Sequence, residues 1–328
     1  MMESAVWPLL AGKRPSQIPV AAWRHFYHSE WDPIRFAEAT LSHQQSFDWD
    51  FIKLNTRATF FSEPFGLQAQ PGPDDEHKGP PTAPPYRSVE DLLRLERPAE
   101  LPQAYLEQLQ ALRLVRQSAR RHPIVLTLFN PISVLGDLVE PEELLLEAMQ
   151  TAGSAVFQAL DVISQALLRY AREGLRQGAD GLFYATTEWA SAERIPWEWY
   201  QRFALPYDQL LLEAVREAPF NILHVCGHEN FLPHLWQLPV AAFSWDATDP
   251  TNPSLAEAAR RCDRILIGGM DREFLCDALP GEVERTRRVV IEEAAAWPFI
   301  LAPGCAYRPS TPLANLRELV GSAQGWMS

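Results

Sequence analysis

FNILHVCGHEN, residues 220–230, decides the fold. It opens as a short apolar run and ends with His224 and Cys226 two positions apart, just before a glycine. A run that is apolar on both faces is the mark of a parallel strand covered by helices. Working outward, seven more such runs stand between turn residues. They are IPVAAW (18–23), FDWDFIKL (47–54), PIVLTLFN (123–130), ADGLFYAT (179–186), VAAFSWDA (240–247), RILIGGM (264–270) and FILAPGC (299–305). Helical patterns separate most of them. Eight strands alternating with helices predict an α/β fold, a (β/α)8 TIM barrel in one domain over residues 1–328. A doubly wound open sheet is the alternative, but no glycine-rich phosphate fingerprint follows the first strand.

Helices are expected over DPIRFAEATLSHQQ (32–45) and PAELPQAYLEQLQALRLVRQSARR (98–121). The stretch from Pro141 to Gly178 reads as two helices or one bent helix, and 196–218 as another helical segment. Helices are also expected over 253–262, 280–297 and 311–324, with only a short one around FLPHLWQ (231–237) before the sixth strand. Several carry proline near the first turn, where its missing N–H does no harm. QAQPGPDDEHKGPPTAPPYRS (68–88) breaks the rhythm and heads a Pro-rich insertion over 68–100. It is too long for a plain connector, so it is read as a lid or as a mobile surface loop.

The chain is 47% hydrophobic and 22% charged, an ordinary globular composition with length for a large core. Its net charge of −13 comes with no basic patch, which argues against nucleic acid as a partner. No apolar run approaches the ~20 residues of a membrane span. The first residues, MMESAVWPLLAGKRPSQ, lack the charged start and apolar core of a signal peptide. Four cysteines in this length make no disulfide framework, so a cytoplasmic protein with reduced thiols is expected.

Active sites of such barrels lie at the C-terminal strand ends. Those ends carry Trp23, Arg24 and His25; Lys53, Asn55 and Arg57; Asn130; Thr186, Thr187 and Glu188; His224 and Cys226; Asp246 and Asp249; Met270 and Asp271; then Cys305, Tyr307 and Arg308. On a strand, i and i+2 share a face, so His224 and Cys226 point the same way. With Cys305 at the same rim they make a three-ligand set suited to zinc, with the fourth position open. Cys226 and Cys305 could instead be small buried hydrophobes, or bridged by a disulfide. Cys262 and Cys276 read as structural, and His228 and His234 as surface residues. Arg24, Asn55, Thr186, Glu188, Asp246, Asp271 and Tyr307 are candidate substrate-binding residues. For Asp246 and Asp271 the competing reading is a helix cap or a backbone turn.

With those residues placed, the chain resembles the uroporphyrinogen decarboxylase superfamily. GADGLFYATTEWAS, FALPYDQLLLEAV, HVCG, SWDATDP, IGGMD and PGCAYRPSTPLANLREL are similar to its successive blocks, in order, from about residue 179 onward. The resemblance implies a (β/α)8 barrel. True decarboxylases of the family carry Arg-Gln-Ala-Gly-Arg after the first strand, where this chain reads Trp23-Arg24-His25-Phe26-Tyr27. They place an essential aspartate after the second strand, where Lys53-Leu54-Asn55-Thr56 stands here. They have Gly-His-Gly on the last strand, where Gly304-Cys305-Ala306 stands. The methylcobamide:coenzyme M methyltransferase branch is closer, since it binds zinc through His-x-Cys and a later Cys. Those positions map onto His224, Cys226 and Cys305.

The resemblance thus implies one zinc per chain and catalysis at His224, Cys226 and Cys305. A methyl group would pass between a corrinoid, such as methylcobalamin, and a zinc-activated thiol. No Asp-x-His-x-x-Gly cobalamin loop is present, so the corrinoid is expected on a separate protein. A homodimer is expected by analogy with the family. The second reading is decarboxylation of a porphyrinogen or other polycarboxylate, in porphyrin metabolism. The third is a non-catalytic barrel that binds a tetrapyrrole or a metal.

Overall fold

The computed structural model describes residues 4–80 and 82–321, so residues 322–324 of the last expected helix, Pro81 in the loop, and Met1, Met2 and Glu3 lie outside it. Seven parallel strands form one sheet in sequence order. They are β1 (Ile52–Leu54), β2 (Ile124–Phe129), β3 (Gly181–Ala185), β4 (Ile222–Val225), β5 (Ala242–Trp245), β6 (Ile265–Met270) and β7 (Phe299–Pro303). Each lies inside one of the predicted runs.

The expected eighth strand, 18–23, does not form a full ladder like the other seven. It is a single parallel bridge, Val20 to Leu301. Pro19 has no N–H to donate, and the Val20 N–H goes to the Asp50 carboxylate at 2.8 Å instead of to a ladder. Ala21 donates to the Leu301 carbonyl at 3.0 Å, and Asp50 donates to the Val20 carbonyl at 2.9 Å. The segment therefore lies between β7 and the chain leading into β1. The run 47–54 also shortens, because the helix before it, Pro33–Phe47, extends further than its sequence pattern suggests. Asp48 closes that helix in the left-handed region at φ 52°.

The sheet is curled, and its two faces bury different residues. The convex face packs on helices, among them Gln103–Ser118 and Gly153–Arg176. The concave face gathers a second cluster that includes Phe51, Val125, Phe183, Ile222, Ile265 and Ile300, together with Ala21 and Trp23 from the bridge segment. Alternation then fixes which side chains stand above those apolar residues on the inner face. On β1 and β4 they are Lys53 and His224.

The stretch 141–178 forms two helices, Glu142–Thr151 and Gly153–Arg176. The stretch 196–218 also divides, into Trp197–Phe203 and Leu205–Glu213, with Pro206 at the start of the second. Two helices that sequence reading did not separate follow β2 and β6, Pro131–Leu138 and Arg272–Asp277. Among the described residues, no helix is long and apolar enough to cross a membrane.

Candidate metal centre

β4 is anchored before it reaches the site. The Asn221 side chain accepts from the Leu182 N–H at 3.0 Å and donates to the Val215 carbonyl at 2.8 Å, which fixes the register against β3. Four residues later the strand stops. Gly227 takes φ 89°, a conformation open to glycine, and turns the chain directly after Cys226. Asn252 then donates to the carbonyls of Gly227 at 3.0 Å and Asp246 at 3.1 Å, joining the ends of β4 and β5.

Cys305 arrives from the other side. A Cβ on Gly304 would lie 2.7 Å from the Asp246 backbone, so only glycine lets the chain beyond β7 come this close to the end of β5. The ligand atoms of His224, Cys226 and Cys305 all lie within 4.8 Å of one another. All four cysteines are free thiols. His224 is buried, and its Nδ1 is engaged by the Ser244 hydroxyl at 3.1 Å, which leaves Nε2 for the thiols.

The electrostatics favour thiolate. Hydrogen bonding from the Cys226 thiol, opposed by burial and aided by the His224 ring and the Lys53 charge, holds Cys305 well below the usual thiol range. Cys226, as donor to that anion, is pushed up. Burial lowers the Lys53 ammonium to about 8, although the nearby thiols and Glu30 raise it. Its Nζ lies 4.3 Å from the centre of the Phe183 ring and donates to Asn55 Oδ1. His224 packs on the same Phe183 ring, with centroids 5.1 Å apart. Arg272 also adds positive potential near both cysteines. One histidine and two thiols with cations beside them are a soft donor set that fits zinc.

The structure places the candidate substrate residues unevenly. Asn55 is beside Lys53, and its Nδ2 is buried without a partner. Thr186 donates both its N–H, at 3.0 Å, and its hydroxyl, at 3.3 Å, to the His224 carbonyl, so it braces β4. Glu188 pairs with Arg194 at 3.0 Å. Asp246 accepts from Thr248 N–H and Oγ1 in a local turn, and Asp271 caps the helix Arg272–Asp277. Tyr307 points its hydroxyl at His43 Nε2, 2.6 Å away, on the convex side. His228 pairs with Asp249, and His234 stacks on Trp197 at 4.3 Å.

Arg24 donates to the carbonyls of His25 at 3.0 Å and Asp75 at 2.8 Å, so it holds the Pro-rich loop. The Asp75 carboxylate accepts from His28 N–H at 3.1 Å, and from Ser29 N–H and Oγ at 2.7 Å each. Sequence reading did not single out Ser244, Phe183, Arg272 or Asp75. Only Ser244 had a signal, as the inward residue two before Asp246 on a strand next to His224.

A family model described as uroporphyrinogen decarboxylase (URO-D) matches residues 15–326. The methylcobamide:CoM methyltransferase MtaA of Methanosarcina barkeri is 23% identical over 92% of this chain and 86% of its own length. The methylcobamide:CoM methyltransferase MtbA of Methanosarcina acetivorans is 28% identical over 51% of this chain, and the match spans about half of that relative, 48%. A solved structure titled methyltransferase from Methanosarcina mazei superposes with a TM-score of 0.79 at 22% identity, covering 96% of each chain. The expectation of porphyrin metabolism finds no support in these proteins, which are named as methyltransferases.

Proposed function

The chain belongs to the uroporphyrinogen decarboxylase family, and from that premise we propose that it is a zinc-dependent methyltransferase acting between a corrinoid and a thiol. The observation that carries the reading is the convergence of His224, Cys226 and Cys305, within 4.8 Å, at the open end of the curled sheet. The methyltransferase names of the relatives support it from outside the site. In the same reading, residues 18–23 are the eighth strand of a closed barrel, supported by the Val20–Leu301 bridge and by Ala21 and Trp23 in the inner cluster.

His224, Cys226 and Cys305 would hold the zinc, one per chain, and leave one position for the acceptor sulfur. Bound there, zinc would lower the acceptor's thiol pKa and supply a thiolate at neutral pH. The residues around the ligands do the rest. Ser244 fixes which imidazole nitrogen faces the thiols. Lys53 and Arg272 offset the negative charge of the thiolates. Phe183 and Trp23 wall the site off from water on the inner side. In the transfer a sulfur–carbon bond forms as the carbon–cobalt bond breaks, and the electron pair stays with the corrinoid. The corrinoid is read as the cargo of a separate protein.

Elemental mass spectrometry on protein purified without a metal-affinity tag tests this. Close to one zinc per parent chain is expected, and almost none in Cys226→Ala or Cys305→Ala. Methyl transfer from methylcobalamin to a panel of thiols should then follow the zinc content. A well-folded parent that neither retains nor takes up zinc would sink the proposal.

A further inference from the structure

No ladder joins residues 18–23 to β1 among the described residues. A small internal cavity of about 20 Å³ lies along that seam. Ala22 and Trp23 line it from one segment, Ile52, Lys53 and Asn55 from the other, and the helix Pro33–Phe47 closes it with Thr40 and Gln44. Three of these side chains keep a polar atom with no hydrogen-bond partner among the described residues: Thr40 Oγ1, Gln44 Oε1 and Asn55 Nδ2. Thr40 and Gln44 are 6% exposed and Asn55 5%, so bulk water does not satisfy them.

The rest of each amide is committed. Gln44 Nε2 donates to the Trp49 carbonyl at 2.7 Å, which leaves Oε1 as the free end. Asn55 Oδ1 accepts from Lys53, which leaves Nδ2. Thr40 and Gln44 stand four residues apart, neighbours on one face of the helix. A buried acceptor, a buried donor and a buried hydroxyl therefore line one cavity. Asn55 Nδ2 and Gln44 Oε1 would bond to each other if they met, and they do not. Leaving all three unpaired is costly, and the cavity has room for one water with two to four polar partners around it.

We propose that a single water is bound in this cavity, donating to Gln44 Oε1, accepting from Asn55 Nδ2 and sharing its third bond with the Thr40 hydroxyl. The donor on Asn55 argues against a cation and the acceptor on Gln44 against an anion, while the volume admits nothing larger than water. The water ties the helix Pro33–Phe47 to Asn55, and through Asn55 to Lys53, across the seam that has no ladder. The inference does not rest on the zinc reading, and the zinc-free and zinc-loaded chains should hold the same water.

A high-resolution crystal structure of the full chain tests it directly. One ordered water is expected within about 2.7–3.2 Å of all three atoms. Thr40→Val keeps the shape of the side chain and removes its hydroxyl. It should lower the folding equilibrium constant about fivefold in urea unfolding, the worth of one hydrogen bond. A hydroxyl buried without a partner would give the opposite sign, because valine would remove a cost. The inference is overturned if the cavity is dry, if it holds an ion, or if the three side chains close on one another in the crystal. It also fails if Thr40→Val folds as well as the parent or better. None of these results bears on whether His224, Cys226 and Cys305 hold zinc, which metal analysis of the same samples reads separately.

Discussion

At the scale of single residues, the site rests on two neighbours that hold no metal themselves. Ser244 engages His224 Nδ1 at 3.1 Å and so sets the ring's orientation. Removing it in Ser244→Ala should weaken zinc affinity about tenfold, as lost outer partners of ligating histidines do, in a competition assay with a chromophoric chelator. Gly304 lies where any side chain would meet Asp246 at 2.7 Å. Gly304→Ala should displace Cys305, lower zinc content, and cost about 1–3 kcal/mol of stability as an overpacked site, read by urea unfolding. His224 and Cys226 were legible from the strand period alone, and Cys305 from its position at a strand end. The glycine's role was not legible, because close approach between β5 and β7 is a property of two segments some sixty positions apart in sequence. Asp271 shows the opposite case: its place before a helix made capping readable, and that is the bond the structure shows.

At the scale of elements, a buried polar network ties the strand ends to the outer helices. Asp208 accepts from the hydroxyls of Tyr184 at 2.7 Å and Tyr200 at 2.5 Å, and from Asn130 Nδ2 at 3.2 Å. Asn130 also caps the helix Pro131–Leu138. Burial raises the Asp208 carboxyl to about 6, even though its three donors pull the other way. The folded state then holds a proton that the unfolded chain has released, from the model-peptide value near 4 up to about 6. The contribution of Asp208 to stability should therefore fall as pH rises through that window. Melting temperatures across pH 4 to 7 should lose this slope in Asp208→Asn. Tyr184→Phe should cost about 1–3 kcal/mol by leaving the carboxylate short of a donor. The long helices and all seven strands were readable from apolar period. The helix Pro131–Leu138 was not, because it is only eight residues long and mostly buried, although the Asn130-Pro131 pair that starts it was a signal in the sequence.

At the scale of the whole molecule, the seam between the first and last segments is the weakest part of the sheet. It has one bridge, and Asp50 supplies much of the remainder by accepting from Val20 N–H at 2.8 Å and Ala5 N–H at 3.0 Å. Asp50→Ala should cost about 2–4 kcal/mol, since two backbone donors lose a charged acceptor. Hydrogen exchange should rise first in residues 18–23, and a variant with unchanged protection there would contradict this account. The eightfold alternation of runs and helices was plain in the sequence. That one run would form a bridge was not, because the competing acceptor is a side chain some thirty positions away.

The three candidate ligands come from β4 and its end and from just beyond β7, with β5 and β6 between them. Two of the three donors are thus made by the ribosome well before the third. A growing chain that has reached the end of β4 presents only the His224–Cys226 pair of the three donors. The full set exists only once the last strand has docked. In the zinc reading proposed above, loading the metal would then report that synthesis and folding are complete, and a chain stalled or cut before β7 would leave the donor set unfinished.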